Sequence, residues 1–343
     1  MNNKWIIGYV SHQDLDKVTE TDLCRMTHIN IAFGVIQDGV IQTSHLLHMK
    51  QIPVIKEKHP DLKIILSVGG WSSGGFSEAA ATEEGRLKLA VSAARVVKSY
   101  SLDGIDLDWE YPCYGQAGIA ASPMDKQNFT QLLSTIREEL DQLGEQENRH
   151  YMLSIAAGAD QYYIDGTELE HIVPYLDYVQ LMTYDMRGGF QVLTGHHTSL
   201  YTATGDLYRI STDASVSMFH KAGVPMDKIV IGAAFYSRKW AGVPARNNGL
   251  HQMAATTGGY GPDYTELSAD YINNDGYTRY WDDEAKAPYL FNGSTFISYD
   301  DPESITAKCE YVIEQELAGI MFWEYKCDAS HTLLEAMSKV LRR

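Results

Sequence analysis

The stretch Leu102 to Pro112, LDGIDLDWEYP, constrains this chain more than any other. Four carboxylates, Asp103, Asp106, Asp108 and Glu110, fall within eight residues and are interleaved with Ile105, Leu107 and Trp109. A strand turns successive side chains to opposite faces. Asp106, Asp108 and Glu110 therefore share one face, about 6.6 Å apart along the backbone, and the apolar residues share the other. Asp103 is off the row by parity and is expected to support the strand. Turned outward, the row would be a solvated edge. The helix-like segment before it and the run YSLDGI point instead to a strand covered on both sides. Three carboxylates turned inward cannot all ionise in a low-dielectric site, so some share protons and shift their pKa values.

The rest of the chain repeats one theme. Apolar strand-like runs at 5–10, 28–36, 62–70, 102–110, 151–159, 178–185, 228–236 and 318–325 alternate with stretches of helical spacing, among them 83–100, 126–143 and 302–317. TLLEAMSKVLRR closes the chain as a further helix. Continuous apolar strands between helices indicate a parallel sheet covered on both faces. Eight such units favour a closed (β/α)8 TIM barrel over an open sheet. From Gly242 to Ser298 the rhythm breaks into Tyr, Gly, Asp and short β-like runs. That segment is too long for an unstructured loop. It is expected to be a small α+β insertion domain between strand seven and the helix preceding strand eight. The barrel then comprises 1–241 and 299–343, and the insertion 242–298.

Composition narrows the partners. A formal net charge of −17, with no basic cluster, argues against nucleic acid and against an anionic membrane surface. It suits a neutral or cationic ligand, and 22 tyrosines suggest amphipathic contact surface. Cys24, Cys113, Cys309 and Cys327 show no paired spacing and read as reduced thiols. No metal-ligand spacing, GxGxxG or P-loop occurs, so neither a metal nor a cofactor is expected. MNNKWIIGYV lacks the long apolar region of a leader, which suggests a cytoplasmic protein, or a secreted one whose leader has been removed. A monomer is expected.

In a barrel of this kind the active site lies at the C-terminal strand ends. Glu110 is furthest along the acidic row. Strand six ends in Tyr184 and Asp185, with Gln180 and Met182 on the face of Tyr184. Strand three ends in Ser67, Gly69, Gly70 and Trp71; strands one, two, seven and eight offer Tyr9, Phe33, Tyr236 with Arg238, and Trp323. Ser67 and the glycines fit a tight strand–loop junction equally well. Met182 and Phe33 fit barrel core, and Arg238 fits a pairing with an acid. Large aromatics at strand ends, here Trp71, Tyr236 and Trp323, face a cleft more often than a layer of barrel core. Trp71 and Trp240 are expected to line flanking subsites.

At these residues the chain resembles the family 18 glycoside hydrolases, the chitinases and their relatives. DGIDLDWEYP is similar to their DxxDxDxE signature, residues 67–71 to SxGGW, and residues 180–185 to QxMxYD. WDDEAKAPYLF and SYDDPESI resemble the insertion domain of one branch. The resemblance implies a retaining hydrolase of β-1,4-linked N-acetylglucosamine chains, in which the substrate's own 2-acetamido carbonyl attacks the anomeric carbon. It implies Glu110 as acid and then base, Asp108 on the acetamido N–H, Asp106 sharing a proton with Asp108, and Tyr184 on the acetamido oxygen. Asp185 adds a contact near the cleavage point, and Trp323 forms the floor. An endo-β-N-acetylglucosaminidase acting on N-glycans or peptidoglycan-like chains is a close alternative. A chitinase-like lectin is another, though lectins of this build lack the acid that Glu110 supplies here.

Overall fold

A computed structural model describes residues 4–342. The strands, in chain order, are β1 (Trp5–Ser11), β2 (His28–Gln37), β3 (Val40–Gln42), β4 (Lys63–Gly69), β5 (Gly104–Asp108), β6 (Met152–Gly158), β7 (Tyr178–Met182), β8 (Ile229–Ala234), β9 (Tyr236–Ala241), β10 (Gly259–Asp263), β11 (Thr278–Asp282), β12 (Ala287–Phe291), β13 (Thr295–Ser298) and β14 (Gly319–Trp323). Eight of them, β1, β2, β4, β5, β6, β7, β8 and β14, form a parallel sheet that closes through β1–β2 and β1–β14 pairing. This is the (β/α)8 barrel. Helices such as Glu83–Tyr100 and Asp125–Glu147 cover its outside and bury Ile105, Leu107 and Trp109 against Phe76 and Phe129. The apolar face of the acidic strand thus supplies the barrel–helix core, which leaves the acidic face to the interior.

Inside, the barrel is filled by Ile7, Tyr9, Ile65, Ala156, Tyr178, Val230 and Met321. Gly104 allows β5 to lie close beside β6: a Cβ there would stand 2.1 Å from the Met152 carbonyl oxygen. β3 is a short antiparallel partner of β2 beyond the barrel rim, a hairpin that the apolar pattern did not signal.

The second sheet is antiparallel, in the order β10-β9-β13-β12-β11. It begins earlier than the sequence suggests. β9 starts at Tyr236, so Tyr236 and Arg238 belong to this sheet and not to the end of a barrel strand. Arg238 and Lys239 break the apolar run there, which disguises a strand whose buried side faces Phe296. Trp240, expected in a flanking subsite, is fully buried instead: it packs on Phe296 and donates its indole N–H to the Gln191 carbonyl at 2.9 Å. Its burial follows from β9 pairing with β13, which turns Trp240 into the core of the second sheet. Trp240→Ala should lower folding stability by about 3–5 kcal/mol. An unchanged unfolding midpoint in thermal or urea denaturation would contradict that placement.

Candidate active site

The site grows out of strand register. Ser67 on β4 is opposite Asp106 on β5, which is opposite Ser154 on β6. All three point into the barrel at one level. The Asp106 carboxylate accepts hydrogen bonds from Ser67 Oγ (2.7 Å) and Tyr9 Oη (2.9 Å) on one oxygen. Its other oxygen accepts from Ser154 Oγ (2.7 Å) and Gln180 Nε2 (2.9 Å). Gln180 also accepts from Asn30 Nδ2 at 3.1 Å and donates to Tyr9 Oη at 3.0 Å. Five strands therefore send polar groups to, or in support of, one fully buried carboxylate.

Asp108 lies one step further along the same face, and its Oδ1 is buried without a hydrogen-bond partner. Burial, followed by the charges of Glu110 and Asp106, holds its pKa well above the ordinary carboxylate range. Burial raises Asp106 too, but its four donors pull it part of the way back. A proton therefore resides more readily on Asp108 than on Asp106. That ordering differs from a simple sharing between equals, and hydrogen-bond supply is the reason. Glu110 follows the strand at the mouth of the barrel. Burial raises its pKa to about 7; the Tyr111 hydroxyl acts against this and the charge of Asp185 adds to it.

Tyr184 sits beside this row. Its ring fits because residue 232 on β8 is glycine, where a Cβ would come within 2.8 Å of it. Its hydroxyl donates to Met321 Sδ at 3.7 Å, and burial holds that hydroxyl firmly protonated. Next to it Asp185 is gripped in a two-pronged pair by Arg238 Nε (2.7 Å) and Nη2 (2.6 Å). His197 Nδ1 lies 3.6 Å from the same carboxylate. Burial works against the Asp185 charge, but these hydrogen bonds and the cation hold its pKa well below the usual range. The Tyr260 ring covers the Arg238 guanidinium at 3.9 Å.

Aromatic side chains line the mouth. Trp323 stacks on Phe33, with ring centroids 5.3 Å apart and planes 20° from parallel, and Tyr9 packs on it at 5.7 Å. Trp71 is half exposed, and its ring centroid lies 6.5 Å from that of the exposed Phe190. Gly69 and Gly70 have φ of 118° and 89°. A Cβ on Gly69 would collide with the Asp108 carbonyl oxygen at 2.1 Å. These glycines let β4 lie against the acidic strand.

The fold therefore brings Tyr9, Phe33, Ser67, Asp106, Asp108, Glu110, Tyr184, Asp185, Tyr236, Arg238 and Trp323 around one cleft. Met182 lies in the barrel filling near Tyr9. Asp103 faces away and is held by Lys56 Nζ (2.8 Å), Arg149 Nη2 (2.5 Å) and the Ile64 N–H (2.8 Å). Sequence reasoning missed Ser154, although it is the one polar residue in an otherwise apolar strand, and Asn30, which shares its strand with His28 and Gln37. It also missed His197, Phe190 and Tyr260, which lie on loops or in the second sheet and carry no periodic signal. Among the described residues, no group of three or more His, Cys, Asp or Glu is arranged to hold a metal ion, and no helix is long and apolar enough to cross a membrane.

A closed parallel barrel with a buried carboxylate row beneath an aromatic cleft is the build of a carbohydrate-cleaving barrel enzyme. Residues 5–328 match the model of Glycosyl hydrolases family 18, and the chain belongs to that family. It is 42% identical over 303 residues to Chitinase A1 of Niallia circulans, covering 83% of this chain but only 43% of that relative's length. The structure superposes with a TM-score of 0.98 on a family 18 N-acetylglucosaminidase from Paenibacillus barengoltzii, at 65% identity over 99% of this chain and 100% of that one. An Ostrinia furnacalis Group IV chitinase in complex with allosamidin superposes with a TM-score of 0.88 at 28% identity, covering 99% of each chain.

The electrostatics of Glu110 bear on stability. A carboxyl whose pKa is higher folded than unfolded stabilises the fold at pH below the ordinary carboxylate range, and that contribution is lost as pH rises through about 7. Glu110→Gln cannot ionise, so its melting temperature should exceed that of the wild type at pH 8, and the gap should narrow towards pH 5. A gap independent of pH would show that Glu110 is not held protonated by its site.

Proposed function

We propose that this enzyme hydrolyses β-1,4 bonds in N-acetylglucosamine chains, chitin or chito-oligosaccharides, with the substrate's acetamido group as internal nucleophile. The observation that carries this reading is the arrangement of carboxylates. Glycosidases that use a protein nucleophile need a second free carboxylate across the bond from the acid. Here Asp106 and Asp108 stand on one strand with Glu110 just beyond its end, and Asp185 is tied in a bidentate pair with Arg238. The attacking group therefore comes from the sugar.

In this mechanism Glu110, with its pKa near 7, protonates the leaving oxygen and then takes a proton from the incoming water. Asp108 keeps its proton on one oxygen and accepts the acetamido N–H on the other, which orients the group for attack. Asp106 stays fixed by its four donors, and its charge helps keep the proton on Asp108. Tyr184, always protonated, donates to the acetamido oxygen. Trp323 floors the sugar, and Tyr236 and Arg238 shape its rim through Asp185. The named activity of the Paenibacillus relative and the allosamidin complex of the Ostrinia relative support an N-acetylated sugar as the ligand.

Because Glu110 must carry a proton to act, turnover should fall as pH rises above about 7. Glu110→Gln should reduce turnover by at least about 10²–10⁴-fold. A purified variant retaining more than a tenth of wild-type activity excludes Glu110 as the acid. Proton NMR of the first product should show the β-anomer, and fully deacetylated oligomers should not be cleaved. An initial α-anomer, or ready cleavage of the deacetylated chain, rules out attack by the acetamido group.

A further inference from the structure

A contact between two loops beside the Trp323 floor has no part in the chemistry described above. His12 is the first residue after β1, and its backbone N–H donates to the Ala32 carbonyl at 3.0 Å. His45 lies on the segment that follows β3, and its imidazole Nε2 donates to the Phe33 carbonyl at 2.9 Å. The two rings meet edge to face, with centroids 5.6 Å apart and planes at 89°. The Leu47 N–H then donates to His12 Nδ1 at 3.1 Å. Phe33 itself stacks on Trp323, so His45 holds the backbone of the residue that packs on that floor.

The direction of the sugar chain follows from barrel order. Going round the closed sheet, β5 and β14 are the fourth and eighth strands and stand opposite one another. Glu110 follows β5, and Trp323 ends β14. A sugar resting on Trp323 with its anomeric carbon towards Glu110 points its O4 end away from β5, towards the ends of β14, β1 and β2. That is the side on which the two loops are joined.

We infer that the His12–His45 contact is a specificity-determining wall that ends the cleft one sugar beyond the bond broken, so that N-acetylglucosamine units leave singly from the non-reducing end. The inference rests on the proposed hydrolysis of N-acetylglucosamine chains and adds where on the chain the enzyme cuts. Both imidazoles are committed to the backbone of a neighbouring segment, which gives the wall its stiffness. A groove left open on this side would accept a longer glycon and release disaccharides.

The test uses the N-acetylglucosamine pentamer labelled at its reducing end, together with nitrophenyl glycosides of the mono- and disaccharide. Wild type should first yield the free monosaccharide and labelled tetramer, and should liberate nitrophenol directly from the monosaccharide glycoside in preference to the disaccharide. In His45→Ala and His12→Ala the ratio of disaccharide to monosaccharide kcat/KM should rise by at least about tenfold, with free disaccharide among the first pentamer products. Disaccharide as the first wild-type product overturns the inference. So does a ratio that stays within about twofold of wild type in variants whose melting curves remain cooperative. Should both variants fail to fold, the wild-type product pattern decides alone. Failure of the proposed function looks different: no N-acetylated oligomer is then turned over at any length.

Discussion

The arrangement of Asp106 at the barrel centre is what the rest of the site depends on. A fully buried carboxylate is costly unless its acceptor sites are satisfied. Here hydroxyls from β1, β4 and β6 and an amide from β7 satisfy it. Each donor sits on a different strand, so the barrel must close for the cage to exist. The cage in turn leaves Asp108 as the carboxyl that most needs a proton, because it has burial and like charge around it and an oxygen with no donor. A gradient of proton affinity along a single strand is thus set by which side chains happen to stand next to it in register.

The second sheet acts on this centre through one residue. Arg238 reaches from β9 to hold Asp185, and the His197 backbone N–H donates to Ser298 Oγ on β13 at 2.8 Å. Asp185 remains ionised under that double hold, and its charge contributes to keeping the Glu110 proton in place. The second sheet is therefore coupled electrically to the acid through Arg238 and Asp185. A buried Lys308, bonded to Asp300 and Thr198 at 2.6 Å each, ties the return from the second sheet back to the loop that carries His197. Removing one member of that pair would strand a charge in a fully buried place, so the junction is rigid by necessity.

Much of this was legible beforehand, for identifiable reasons. Period-two alternation around Asp106 placed the acids on one face, and repeated apolar runs separated by helical periods marked eight barrel strands. Helix Glu83–Tyr100 begins and ends where the pattern said, because Thr82 caps it and Ser101 turns left-handed after it. Trp240 misled, since an exposed sugar platform and a core tryptophan read the same in one dimension. The second sheet begins before the segment where the rhythm was expected to break, because Arg238 and Lys239 concealed its first strand.

Sequence alone determined the parity of the carboxylate row, the class of fold and the kinds of side chain available at each strand end. These depend on spacing along the backbone, which the sequence states directly. Tertiary structure decided which of those side chains meet. Only strand register sets Ser67 and Ser154 opposite Asp106, only barrel closure brings Tyr9 and Gln180 across to it, and only the pairing of β9 with β13 buries Trp240 while leaving Arg238 free to reach Asp185. Each of those choices joins residues dozens of positions apart, and a hydrogen bond of 2.7 Å between Ser67 and Asp106 has no counterpart in the 39 residues of chain that separate them.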